Sequence, residues 1–212
     1  MLRLERLGTL TLLTLAACNE APEQPAPSLT ADATTTRDLE LDVELPNDPD
    51  EDPVELLITW SVDGQALGDL DNATRVPAAR TSKGEVWQAS VTATDGALQT
   101  EPVVVSTTIL NSLPVATVEI TATAPQAGEP LTATHSSQDA DGDAVTYSFA
   151  WLVDGQKSGV NTQNLRPGLT VRGQVWERRA TPDDEEDNGE VGSAQVSIEN
   201  TAPELVAGTR TP

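Results

Sequence analysis

The stretch at 58–65, ITWSVDGQ, returns at 149–156 as FAWLVDGQ, and the two tryptophans stand 91 positions apart in a chain of 212 residues. A segment that writes its own strand and turn twice is expected to fold twice, into two similar small domains rather than one large core. Residues 30–65 align without gaps onto 121–156. After a two-residue change of loop length, Gly84-Glu85-Val86-Trp87 aligns with Gly173-Gln174-Val175-Trp176. Asn111-Ser112-Leu113-Pro114 likewise aligns with Asn200-Thr201-Ala202-Pro203, both at offset 89. Three landmarks in one order place the domains at 29–112 and 113–203, with a short tail at 204–212.

Inside each copy the pattern is β. Val54, Leu56, Ile58, Trp60 and Val62 alternate with Glu55, Leu57, Thr59 and Ser61, and Val145, Tyr147, Phe149, Trp151 and Val153 keep the phase. Period-two alternation sends one set to a core face, and Asp63-Gly64 and Asp154-Gly155 supply hairpin turns. Further strands are expected at 39–45, 85–93 and 103–110. Four of the six aromatic residues are Trp, so Trp60 with Trp87 and Trp151 with Trp176 are the expected core pairs. Several short strands in domains of about 90 residues predict an all-β chain, two tandem immunoglobulin-like β-sandwiches. The second copy is less regular. Arg178 aligns with Ala89 at an inward position, which predicts either a twist of that strand or a side chain snorkelling to the edge. Leu131 and Ala133 match Leu39 and Leu41 only after a one-residue shift, read as a bulge.

The N-terminus carries a different message. Arg3 and Arg6 precede an uncharged apolar run at 7–17, about half the roughly 20 residues that span a bilayer. Leu15-Ala16-Ala17-Cys18 resembles the lipobox of bacterial lipoproteins, in which the cysteine thiol takes the lipid; an ordinary secretory signal and a buried N-terminal helix are the alternatives. On the lipoprotein reading, residues 1–17 are a signal peptide and Cys18 is the lipidation site. Asn19 after it resembles an outer-membrane address, so the expected location is the bacterial cell envelope. Residues 19–28, with three prolines, are expected to form an extended tether of roughly 30 Å. Cys18 is the only cysteine, so no intramolecular disulfide can form.

Removing residues 1–17 takes away two positive charges and one negative, so the net charge of −22 becomes −23. Such a chain repels nucleic acid and attracts divalent cations. Asp139-Ala140-Asp141-Gly142-Asp143-Ala144-Val145-Thr146-Tyr147, then Trp151, Asp154-Gly155, Gly173–Trp176 and Asn200–Pro203 resemble the tandem Ig-like, PKD-like and cadherin-like repeats of bacterial surface proteins, over most of 29–203. Asp139, Asp141 and Asp143 alternate through one loop, and Asp48, Asp50 and Asp52 stand in the equivalent places of the first copy. Three carboxylates at i, i+2 and i+4 make a part-site for Ca²⁺, which takes six to eight oxygens. It is not an EF-hand, because Ala144 and Ala150 replace its Gly and Glu. In such a sandwich the last loop lies at the same pole, which adds Asp184 to the second set and Asp95 to the first. The cadherin-like resemblance implies that Ca²⁺ there stiffens the angle between domains; the alternative is a pair of hydrated acidic loops.

Little points to catalysis. His135 is the only histidine and has no partner pattern, and no Ser lies in a Ser/His/Asp arrangement. The leading expectation is a non-catalytic envelope lipoprotein whose modules serve as a spacer or as an adhesive unit for a protein or glycan. An accessory carbohydrate-binding lipoprotein and a hydrolase using paired carboxylates are the alternatives.

Overall fold

The computed structural model describes residues 18–200; the stretch 1–17, expected from the sequence to be a signal peptide, and the stretch 201–212, with the last residues of the second repeat and the tail, lie outside the described residues. Contacts divide the chain into two compact units. The described part of unit 1 comprises 18–31, Leu39–Val76 and Glu85–Thr108; that of unit 2 comprises Asp32–Asp38, Pro77–Gly84 and 109–200.

Unit 1 holds β1 (Ser28–Leu29), β2 (Leu39–Asp42), β3 (Glu55–Val62), β4 (Gln65–Ala66), β5 (Arg75–Val76), β6 (Val86–Thr94) and β7 (Val103–Thr108). They form two antiparallel sheets of order β1-β2-β5 and β4-β3-β6-β7. Lettered in chain order as A, B, C, C′, E, F and G, this puts A, B and E on one sheet and C′, C, F and G on the other, the partition of an immunoglobulin-like sandwich. The alternation read from the sequence is the reason. Along β6 Trp87, Ala89, Val91 and Ala93 are all buried, while across the gap Leu39, Leu41 and Val76 turn inward from the other sheet.

Unit 2 holds β8 (Val115–Ile120), β9 (Ala133–Gln138), β10 (Thr146–Val153), β11 (Gln156–Lys157), β12 (Val175–Asp183) and β13 (Gly192–Ser197). Its four-stranded sheet, β11-β10-β12-β13, matches that of unit 1, and β8-β9 forms the second layer. A single bridge from Leu131 to Leu165 stands where the first repeat has the pairing of Leu39 with Val76. The core gathers Leu131, Ala133, Trp151, Leu165, Trp176 and Ile198.

The two Trp pairs are near copies. Trp60–Trp87 and Trp151–Trp176 each meet edge to face with centroids 6.3 Å apart and planes at 68°. Each indole N–H also has an acceptor: Trp60 donates to Ala73 O, Trp151 to Thr162 O, Trp87 to Glu85 and Trp176 to Gln174. A large ring with its one polar atom satisfied is what allows full burial.

Two features depart from expectation, and a third keeps to it. Arg178 neither snorkels nor escapes by a strand twist: it is 1% exposed, with its guanidinium 4.0 Å from the Phe149 ring centroid and 5.6 Å from that of Trp151. Its Nε donates to Gln163 O, and aromatic faces take the place of a carboxylate. Residues 19–28 are not a free tether. Pro22 and Pro25 are buried against unit 1, and the Glu23 N–H donates to Asn47 O at 2.9 Å. Finally, the one-residue shift is real, since Leu39 and Leu41 in one copy and Leu131 and Ala133 in the other are all buried. The first copy carries its extra residue between strand and acidic loop.

Candidate functional site

The acidic loop of unit 2 lies between β9 and β10. Asp139 shapes it, because its Oδ1 accepts the N–H groups of Asp141 at 2.9 Å and Asp143 at 3.0 Å. Gly142 sits at φ 81°, a left-handed conformation that costs a glycine nothing. One carboxylate oxygen from each of Asp139, Asp141 and Asp143 falls within 4.8 Å of the others. Like charges that close need compensation, and the neighbouring chain provides it. Thr35 Oγ1 donates to Asp141 Oδ1 at 2.5 Å and the Ser112 N–H to Asp141 Oδ2 at 2.6 Å. The Lys83 ammonium forms ion pairs with Asp143 and with Glu186, the latter at 2.7 Å, and reaches Asn111 Oδ1 at 3.3 Å. These carboxylates raise the Lys83 pKa, Asp143 contributing most.

Asp184, in the last hairpin loop, is buried and does not join the trio. Its Oδ2 accepts from Asn111 Nδ2 at 2.8 Å, and its Oδ1 accepts the N–H groups of Glu186 and Asp187. The Asn111 amide is the largest cause holding this carboxyl below its ordinary value.

Unit 1 repeats the loop chemistry. Asp48 Oδ1 accepts from the N–H groups of Asp50 and Asp52 at 2.8 and 3.2 Å, with Glu51 at φ 63° in the place of Gly142. Asp95 Oδ1 accepts from Ala97 and Leu98, and these backbone donors lower its pKa. Among the described residues, Asp48, Asp50, Asp52 and Asp95 form no metal-sized cluster.

One orphan recurs. Asp139 Oδ2 and Asp48 Oδ2 are both buried without a hydrogen-bond partner. A buried carboxylate oxygen left bare is costly, and in unit 2 the Lys83 ammonium pairs with Asp143, one member of the trio.

His135 stacks edge-on to Tyr147 and Phe149, at 4.5 and 4.9 Å. All four Trp are buried. Asn72 Oδ1 accepts the Ile58 N–H at 3.0 Å. Sequence pattern alone does not single out Lys83, Thr35 or Asn111 as partners of the acidic loop. The available signals were Lys83 aligning with Arg172, and an Asn-x-x-Pro motif that occurs at 19–22 as well as at 111–114 and 200–203.

No family model and no characterised protein sequence matches the chain. Among solved structures, a two-domain fibronectin type III segment of chicken tenascin is 12% identical, with 84% of this chain and 100% of that one covered and a TM-score of 0.41. The ectodomain of mouse nectin-like molecule 4 is 15% identical, covering 87% and 67%, with a TM-score of 0.35. Fibronectin(III)-like modules from Clostridium thermocellum are 15% identical, covering 82% and 95%, with a TM-score of 0.30. The fold assignment rests on the strand order of the two units.

Proposed function

We propose that this is a non-catalytic, lipid-anchored protein of the bacterial cell envelope, whose Ig-like units serve as a spacer or as an adhesive module for a protein or glycan. The observation that carries it is where the reactive side chains go. His135 is stacked, Arg178 is enclosed, and Asp141 and Asp184 are bonded to the chain at 111–112. Acids committed to fixed donors in this way serve to hold a fold together. Burial of all four Trp also removes the usual platform for stacking on sugars, which disfavours the carbohydrate-binding alternative. Anchoring through Cys18 belongs to the same proposal: the residue is exposed and follows the lipobox-like Leu15-Ala16-Ala17.

Calcium is part of the reading, with Asp139, Asp141 and Asp143 as its holders. The ion would neutralise the trio and stiffen the chain where Ser112 meets Asp141. Lys83 competes for Asp143, so Ca²⁺ binding is expected to be weak in the native protein and tighter in Lys83→Ala. Isothermal titration with Ca²⁺ and melting in millimolar Ca²⁺ against chelator read this directly. Identical melting for native and variant chains in both conditions sinks the metal. The anchor and partner are tested by pull-down from envelope extracts with native and Cys18→Ala forms: release of the variant from membranes is expected, and equal membrane retention of the two overturns the anchor.

A further inference from the structure

The chain leaving Cys18 is fastened at once. Asn19 Nδ2 donates to Asp95 Oδ2 at 2.8 Å, and the Glu20 N–H donates to Asp50 Oδ2 at 2.7 Å. Unit 2 contains the same pair of bonds, from Asn111 Nδ2 to Asp184 Oδ2 and from the Ser112 N–H to Asp141 Oδ2. Both asparagines open an Asn-x-x-Pro motif, and both prolines, Pro22 and Pro114, are buried. The recurrence of two bonds and a buried ring at equivalent acids marks a latch built into the repeat.

We infer that this latch makes the acidic-loop end of unit 1 the surface pressed against lipid headgroups, with no spacer between them. The inference rests on the reading of Cys18 as the lipid attachment point. A free segment 19–28 would stand the unit off by roughly 30 Å. Fastened at Asn19 and Glu20, only Cys18 itself separates the acyl chains from Asp95. The surface so presented carries Asp48, Asp50, Glu51, Asp52 and Asp95, and among the described residues none of them is paired with Lys or Arg. Its charge selects the occupant. An anionic leaflet repels such a surface, whereas amine-bearing zwitterionic headgroups place cations against it.

The test couples the chain from Cys18 onward, through its only thiol, to a maleimide lipid in a supported bilayer, and reads the water gap beneath the protein by neutron reflectometry. On a phosphatidylethanolamine/phosphatidylcholine bilayer the native chain is expected to leave a gap no wider than a headgroup layer. Asn19→Ala with Glu20→Pro removes both donors from exposed positions and should open the gap toward about 30 Å. Phosphatidylglycerol at low salt should widen the native gap. A wide native gap equal to that of the variant overturns the latch, and equal native gaps on both bilayers overturn the headgroup preference. A nitroxide on Cys18 in solution gives a second measure: slow motion is expected in the native chain and fast motion in the variant, and equal mobility overturns the latch. Chemical coupling makes these outcomes independent of whether the cell lipidates Cys18, which metabolic labelling with a palmitate analogue reports separately.

Discussion

Arg178 shows what a single residue can hide. Alternation places it inward, and chemistry argues that a guanidinium should not stay there; the expectation of a twist or a snorkel followed from that conflict. Phe149 and Trp151 resolve it by offering ring faces, with Gln163 O as acceptor. Burial pulls the Arg178 pKa down to about 10, so at neutral pH the side chain is charged and its desolvation cost is present in full. Arg178→Met, which keeps the volume without the charge, is therefore expected to leave stability within about 1.5 kcal/mol of native or to raise it, as seen when buried ions give way to apolar groups. Arg178→Ala should cost about 2–4 kcal/mol through the cavity. Urea unfolding of both variants, followed by Trp fluorescence, decides. Asp184 makes a pH-dependent counterpart. Its depressed pKa gives stability that is present above the ordinary carboxylate value near pH 4 and is lost as pH falls through the lower folded value. Asn111→Ala removes the largest cause, so the Asp184 carboxyl should titrate closer to its ordinary value. The stability gap between native and variant should then shrink below about pH 4. Carboxyl-detected NMR titration and acid-dependent unfolding read both.

At the scale of elements, hairpins were legible and close approaches were not. Asp-Gly announced the turn after each Trp strand. Asp63 and Asp154 both lie at φ 48°, with Gly64 and Gly155 at 80° and 79°, the left-handed pair that a type I′ turn demands. In both repeats that Asp also accepts the N–H that opens the next long strand, Val86 or Val175. Nothing in the pattern announces Gly192, which alternation treats as an ordinary strand position. The structure shows why it is glycine: a Cβ there would lie 2.6 Å from Ala116 O, because β8 runs against β13 backbone to backbone. Gly192→Ala should therefore force the two strands apart and cost about 1–3 kcal/mol, a typical overpacking penalty. Thermal unfolding measures the cost, and hydrogen exchange at Ala116 and Thr117 should rise with it. An unchanged melting temperature would show that the strands move apart without penalty. The segment at 19–28 failed to read for a related reason: three prolines look like a spacer in one dimension, and their docking depends on Asp50 and Asp95, distant in sequence.

Across the whole molecule, duplication conserved geometry while letting chemistry drift. The Trp pairs keep their distance and angle, and the acidic loops keep their Asp-capped turns. Yet at equivalent positions unit 1 packs Leu56, Ile58 and Ala89, whereas unit 2 packs Tyr147, Phe149 and Arg178. Alternation and turn chemistry fix the first kind of feature, so the sequence exposes it. The second kind depends on which side chains meet across the sandwich, and no period encodes that. Charge is the property that belongs to the chain as a whole. At −22, with 34 acidic residues against 12 Lys and Arg and Lys83 bridging two of those acids, repulsion works against the compact state and is strongest where acids cluster. Raising NaCl from about 10 to 200 mM shortens the Debye length from about 30 Å to under 10 Å and should lift the melting temperature by a few degrees. Divalent cations at matched ionic strength separate the general effect from a local one. Screening alone predicts equal curves for Na⁺, Mg²⁺ and Ca²⁺, whereas coordination by Asp139, Asp141 and Asp143 predicts an added rise for Ca²⁺ that disappears in Asp141→Asn.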